Sequence, residues 1–246
     1  MIPATTTYVE RPDLVERLDS LSDPWPEFIH HADCNRLWHV MRERFPQFQL
    51  ILYDEENDRP LGRGQTIPVR WGGSVDGLPG GVDDAVEHGA ALADGEANTL
   101  CAIVAVLDRA AQGHGLSGLV IDAMRSAAAD GGLDCLIAPV RPTLKDRYPL
   151  TPIERYVRWR REDGHAFDPW IRVHERLGGE ILGIAERSMS VEGTVREWEG
   201  WTAMSFPESG EYVLPQALVP VEIDREADRG RYVEPNVWMR HLPRGA

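Results

Sequence analysis

The sequence predicts an α/β fold, and three consecutive stretches carry that expectation. TLCAIVAVLD (99–108) is almost wholly apolar, the pattern of a central strand covered on both faces. Leu116, Leu119, Val120, Ala123, Met124 and Ala127 then recur at helical spacing, which predicts an amphipathic helix over 116–130 that Gly131 and Gly132 terminate. LDCLIAPVR (133–141) reads as a second buried strand. Strand, glycine turn, helix and strand make a βαβ unit, expected to be parallel and right-handed.

The remaining elements follow in order. Residues 1–25 show little periodicity and read as a lead-in. In 23–46, Phe28, Cys34, Leu37, Trp38 and Met41 recur at near-helical spacing, giving one or two short helices that Pro46 stops. Residues 48–71 have the shape of a hairpin: an apolar run from Phe48 to Tyr53, the polar turn DEENDRP, and a weaker second strand. The Gly- and Asp-rich stretch 72–98 reads as a long loop or short helix laid over a surface. A helix is expected over 151–161, with Pro152 in its first turn. Another is expected over 168–179, with Asp168 as cap, Pro169 at the first helical position and Gly178–Gly179 as terminator. Residues 180–198 read as strand, turn, strand, and 231–239 as a last strand. The whole chain of 246 residues suits one domain, with 200–246 as a C-terminal elaboration.

Composition narrows the function. A formal net charge of −14 argues against nucleic-acid binding, which needs a positive face, and against docking on anionic membranes. No stretch reaches the roughly 18 apolar residues of a membrane helix. The opening MIPATTTYVERPDL has neither a basic start nor an apolar run, so a cytoplasmic protein is expected. Cys34, Cys101 and Cys135 are far apart and odd in number, and read as buried thiols in a reducing compartment. No metal is expected, because His30–His31 stands without ligand spacing. Lys145 is the only lysine among many arginines.

The glycine turn QGHG (112–115) joins a buried strand to a helix N-terminus. Unpaired amides and a partial positive charge there make a phosphate cradle, and glycines let the backbone approach a bulky anion. The same glycines also serve any tight strand-to-helix turn. Gly113, Gly115 and Gly118 match the dinucleotide spacing, but the strand lies mid-chain and no acidic residue ends the next one. The Walker loop and the G-x-S-x-G nucleophile elbow are absent.

Gln112-Gly113-His114-Gly115-Leu116-Ser117 resembles the acetyl-CoA motif of the GNAT superfamily of N-acetyltransferases: Gln or Arg, two residues, Gly, one residue, then Gly or Ala. Ser117 departs from the last position. WIRVHERLGG (170–179) resembles the family's later helix, and the element order agrees over roughly 25–200. The resemblance implies a mixed, mostly antiparallel sheet whose two central parallel strands splay apart between flanking helices. It implies acyl-CoA as co-substrate, its pyrophosphate on the amides of Gly113 to Gly118 and its pantetheine arm along strand 101–107, beside Val104, Ala105 and Val106. A small-molecule amine would then attack the thioester directly in a ternary complex.

In many members a tyrosine before the acidic residue of the later helix protonates the leaving thiolate. His174 holds that position here, with an ordinary pKa near neutrality, and Tyr156 is the nearby alternative. Glu96, just before the long strand, is the expected base, with a water chain as substitute. Arg141 and Lys145 follow the second central strand, where they would meet phosphate or a carboxylated acceptor. Arg155, Arg158, Arg160 and Arg161 form a basic patch suited to the coenzyme's 3′-phosphate. Trp198, Trp201 and Trp238 are read as core or as acceptor pocket. Two other readings stay open: a non-catalytic acyl-CoA sensor on the same fold, and an unrelated nucleotide-binding α/β protein. A homodimer is expected only from its frequency on this fold.

Overall fold

The computed structural model describes residues 1–22 and 24–243; Asp23 and 244–246, at the edges of stretches read above, lie outside it. Among the described residues one nine-stranded sheet organises the chain. β1 (Pro3–Thr7), β2 (Leu50–Asp54), β3 (Arg59–Val69), β4 (Thr99–Leu107) and β5 (Cys135–Val140) lie side by side in that order. Next to β5 comes β9 (Arg229–His241), then β8 (Val221–Asp224) and β7 (Gly210–Tyr212), while β6 (Glu180–Gly193) also pairs with β9.

Neighbouring strands are antiparallel except β4 and β5, which are parallel over three rungs: Thr99 with Cys135, Leu100 with Leu136, and Cys101 with Ile137. Beyond that rung β4 stays with β3 and β5 stays with β9, so the two strands part into a V. The β3–β4 register slips between Gln65 and Thr66, leaving Ile103 as a bulge just inside the V.

Helices cover both faces. α4 (Ser117–Asp130) is the crossover between β4 and β5 and buries Val120, Ile121, Met124, Ala127 and Ala128 against Leu50, Leu52, Leu61 and Leu100. It lies so close to β3 that a Cβ on Gly64 would come within 2.6 Å of the Met124 methyl. Leu119, expected inside, is exposed, because the buried stripe turns through Ile121 instead. α6 (Pro169–Arg176) packs beside α4, capped by the Asp168 carboxylate, which accepts from the Trp170 and Ile171 amides. α2 (Trp38–Arg44) and α3 (Val82–Ala91) cover the opposite face through Met41, Ala85 and Val86. Two short helices, α1 (Pro12–Val15) and α5 (Ile153–Tyr156), complete the N-terminal edge and the segment before α6.

Several expectations are corrected. The lead-in contains β1, an edge strand whose PATTT sequence carries no apolar alternation. The helix expected over 151–161 is one turn, after which Arg160 bridges to Ala166. Residues 180–193 form a single strand, with its register shift between Ala185 and Met189 where a turn was expected. The chain then enters α7 (Val195–Thr202), started by a reciprocal Thr194–Glu197 capping box. Trp198 and Trp238 are buried core, and Trp201 stacks on His31. Residues 200–243 are no appendage: β9 borders β5, β6 and β8, and Tyr232 and Phe206 join the core under α3 and α7.

Lys145 is not a phosphate ligand. It is fully buried and its Nζ donates to the carbonyls of Tyr148 (2.9 Å) and Leu218 (2.6 Å), tying the turn after β5 to the 214–218 segment. Burial pushes its ammonium down to about 8, partly opposed by the charge of Glu154. A depressed lysine pKa means that the folded state releases a proton the unfolded chain still holds. Stability contributed by this site therefore rises as pH climbs from about 8 toward the ordinary value of about 10.4. Denaturant unfolding of wild type and Lys145→Met at pH 7.5 and 10.5 should show the difference moving in favour of wild type by about 2 kcal/mol, after allowance for solvent screening. A difference independent of pH would show that Lys145 titrates normally.

Candidate active site

The V between β4 and β5 opens into a cavity of about 650 Å³. Ala102 to Leu107 of β4 form one wall, and the residues from Ala138 to Arg141 form the other. α4 and α6 roof it through Ser117, Val120, Met124, Trp170 and His174. Beyond Cys101 the cavity-facing edge of β4 has no strand partner among the described residues, so its N–H and C=O groups are available to an extended ligand chain. Val104, Ala105 and Val106 all line this edge.

The glycine turn stands at the mouth. Gly113 and Gly115 have φ of +79° and +74°, in the left-handed region that favours glycine, and a Cβ on either would meet nothing within 4 Å. No side chain caps α4 at Leu116, and no described residue accepts a hydrogen bond from the amides of Gly113 through Gly118. Gln112 and Ser117 line the cavity; Gly113, His114, Gly115 and Gly118 do not, the first three being exposed, and Leu116 turns into the core. The Gln112 amide donates back to the Leu107 carbonyl, and His114 Nδ1 meets the Gln112 carbonyl at 3.0 Å.

The structure brings His174 to the cavity but leaves Glu96 and Tyr156 out. Glu96 is exposed on the turn before β4, at the closed end of the V. Tyr156 is buried among Tyr148, Trp159 and Phe167, and its hydroxyl donates to Asp168 Oδ2 at 2.8 Å. Asp168 also accepts from the Leu144 amide, so this tyrosine braces the start of α6, and burial pushes its phenol up, away from acid chemistry. The Cys101 thiol is likewise pushed up by burial. Of the arginine patch, Arg160 pairs with Glu175 at 3.2 Å and Arg161 with Asp163 at 3.3 Å, which neutralises half of it.

His174 is buried edge-on to Trp170, with Nδ1 at 2.8 Å from Nε2 of His241. His241 is in register with Leu136, next to the last β4–β5 rung, so the two imidazoles lie at the apex of the V. Burial first, and then the other imidazole, push His174 down to about 3. This corrects the expected neutral-range acid: at physiological pH His174 is uncharged.

Sequence reasoning missed the far end of the cavity. Trp25, Trp38, Asp146, Glu234 and Asn236 line it with Arg141. Glu234 is completely buried and takes both oxygens to Arg141 Nε (2.9 and 3.0 Å), with further bonds from the Tyr232 hydroxyl and the Asn236 amide. Arg141 donates onward to the Gln216 carbonyl at 2.6 Å and lies over the Trp25 ring. Asp146 differs from Glu234: its Oδ1 is buried and has no hydrogen-bond partner among the described residues. The single acid embedded in the apolar stretch RYVEPNVWM was the available signal for Glu234; nothing marked Asp146.

A bulged strand parting from its parallel neighbour, with open amides at a helix N-terminus across the gap, defines a GNAT-type acyltransferase fold and site. The chain belongs to the GNAT superfamily of N-acetyltransferases: it is 31% identical to the arginine N-acetyltransferase avaD of Aspergillus versicolor, across 96% of this chain and 92% of that protein. No family model matches the sequence. The loading GNATL domain of CurA from Lyngbya majuscula shares the fold at TM-score 0.59 and 16% identity, covering 98% of each chain. The GphF GNAT-like decarboxylase in complex with isobutyryl-CoA does so at TM-score 0.56 and 15% identity, covering 98% of this chain and 99% of that one. The reaction is transfer of an acyl group from acyl-CoA to an amine.

Ser117→Glu places a carboxylate at the first turn of α4, where it complements the helix dipole but repels a diphosphate. Calorimetric titration with CoA should show affinity falling at least about tenfold while Tm holds or rises. Unchanged affinity would remove the amide cradle from the binding site.

Proposed function

We propose that the protein transfers the acetyl group of acetyl-CoA to arginine or a closely similar cationic acceptor, by direct attack in a ternary complex. The observation that carries this is Asp146, a carboxylate at the cavity wall with a buried oxygen that has no donor among the described residues. Such an oxygen costs on the order of 1–3 kcal/mol until a donor arrives, and a charged donor is favoured most.

The charges at this end fit the acceptor. Glu234 and Arg141 neutralise one another, which leaves the Asp146 carboxylate to meet a guanidinium. Trp25 and Trp38 supply flat apolar walls, on which a guanidinium stacks well. The relative avaD, named as an arginine N-acetyltransferase, supports the same choice.

In this reading the open amides of Gly113 to Gly118 hold the pyrophosphate, and the free edge at Val104 to Val106 pairs with the pantetheine arm. The thioester then points down the V toward His174. Free, buried Cys34, Cys101 and Cys135 fit a reducing compartment, and the cytoplasm is the proposed location.

Thiol release from acetyl-CoA, measured with arginine, agmatine, lysine and neutral arylalkylamines, tests the acceptor. Arginine should give the highest kcat/KM; preference for a neutral amine would overturn the assignment. Asp146→Asn should raise KM for the acceptor by about 10- to 100-fold with KM for acetyl-CoA unchanged. Equal loss on both substrates would mean that Asp146 holds the fold rather than the cation.

A further inference from the structure

Resting on the acyl-transfer reading, we propose that His174 moves a single proton in both directions, as base toward the attacking nitrogen and acid toward the departing thiolate, and that His241 is the positioning residue that lets it do so. The starting observation is a dyad of buried imidazoles bonded at 2.8 Å, one of them in the cavity wall. His174 lines the cavity, and its Nε2 is buried with no partner among the described residues, so it has bonding capacity left for a group that reaches it.

Proton counting limits what the dyad can be. Burial pushes His241 down to about 4, so both rings are neutral at physiological pH. Two neutral imidazoles carry two ring protons, and one of these lies in the bond between them. If His174 Nδ1 owns the shared proton, the second proton is on His241 Nδ1 and His174 Nε2 is a bare lone pair. If His241 Nε2 owns it, His174 presents Nε2–H instead. The relay requires the first arrangement. Around His241, Arg125 disfavours added positive charge, and the Asp122 carboxylate and then the Leu177 carbonyl favour a proton there. His241 Nδ1, like His174 Nε2, is buried without a hydrogen-bond partner among the described residues, so the proton's place is set by which ring is the better donor across the 2.8 Å bond. The edge of Trp170 packs against His174.

The step then balances with one residue. The acceptor enters as the free amine, having left one proton to solvent; its nitrogen bonds to the thioester carbon and becomes strongly acidic, and that proton passes to His174 Nε2. During that moment His174 is an imidazolium whose Nδ1–H is held by His241. The C–S bond breaks, the Nε2 proton goes to the thiolate sulfur, and the products are the amide and free CoA thiol, with His174 neutral again. The same burial that makes the imidazolium costly makes its proton easy to surrender to a thiolate, whose thiol has an ordinary pKa near 8.5. No separate acid is required, which accounts for the positions of Glu96 outside the cavity and Tyr156 behind α6.

Long-range 1H–15N spectra of the wild-type protein read the tautomer directly. The expected result is His174 protonated at Nδ1 and bare at Nε2; an Nε2–H tautomer overturns the proposal without any variant. In steady-state kinetics, His241→Phe should lower kcat by about 100-fold at unchanged KM. His241→Gln, whose amide oxygen still accepts from Nδ1, should recover most of the rate, which simple loss of packing would not allow. Adding His241→Phe to His174→Gln should cost nothing further. Full activity in His241→Phe, or additive losses in the pair, sinks the relay and leaves acyl transfer standing. Wild-type protein that releases no thiol with any amine removes the transfer reading itself.

Discussion

The hydrogen bonds that β4 and β5 do not make with each other organise this molecule. After Cys101 and Ile137 the parallel pair ends, and each strand is held by its outer neighbour alone. A buried strand edge without partners is costly, and proteins cover or pair such edges. Here the uncovered edge, from Ala102 to Leu107, faces a cavity of about 650 Å³. The βαβ crossover puts the N-terminus of α4, with its own unpaired amides, at the mouth of the same gap. One interruption in the sheet thus supplies a backbone track and an anion seat in line with each other.

The polar groups below the gap are arranged by how completely they are satisfied. Glu234 is bonded to Arg141, Tyr232 and Asn236, which fixes a rigid floor. Tyr156 and Asp168 spend their bonds on the start of α6. Among the described residues, the cavity-lining side chains with a buried, unmatched polar atom are Asp146 (Oδ1), His174 (Nε2) and Arg63 (Nε). In a low-dielectric pocket such unmatched side-chain atoms gain most from a ligand that supplies the missing partner.

The central unit was legible because its physics is local. An apolar run covered on both faces, a glycine turn and a helix with period near 3.6 are each visible within a dozen residues, and all three lie where expected. The splayed sheet became legible through resemblance, not periodicity. What was lost has specific causes. β1 is an edge strand of threonines, and β6 hides a bulge that imitates a turn. α7 is carried by a capping box ahead of a Gly- and Trp-containing segment of poor intrinsic propensity. The site residues Asp146, Glu234 and His241 come from a loop and from β9, more than 90 residues apart in the extreme pair, and only the closed sheet brings them around one space. A histidine within an apolar strand carries no local mark that another histidine awaits it.

The burial of Lys145 bears on how a protein lives with a reactive thioester. Lysine ε-amines on protein surfaces acylate spontaneously in the presence of acyl-CoA, most readily where a bound thioester is held nearby. This chain uses arginine for its other basic side chains, and guanidinium groups resist that reaction because they keep their protons. Its single ε-amine is enclosed and donated to two carbonyls. The described exterior therefore offers its own donor no lysine amine, so stray lysine acylation has nothing there to act on.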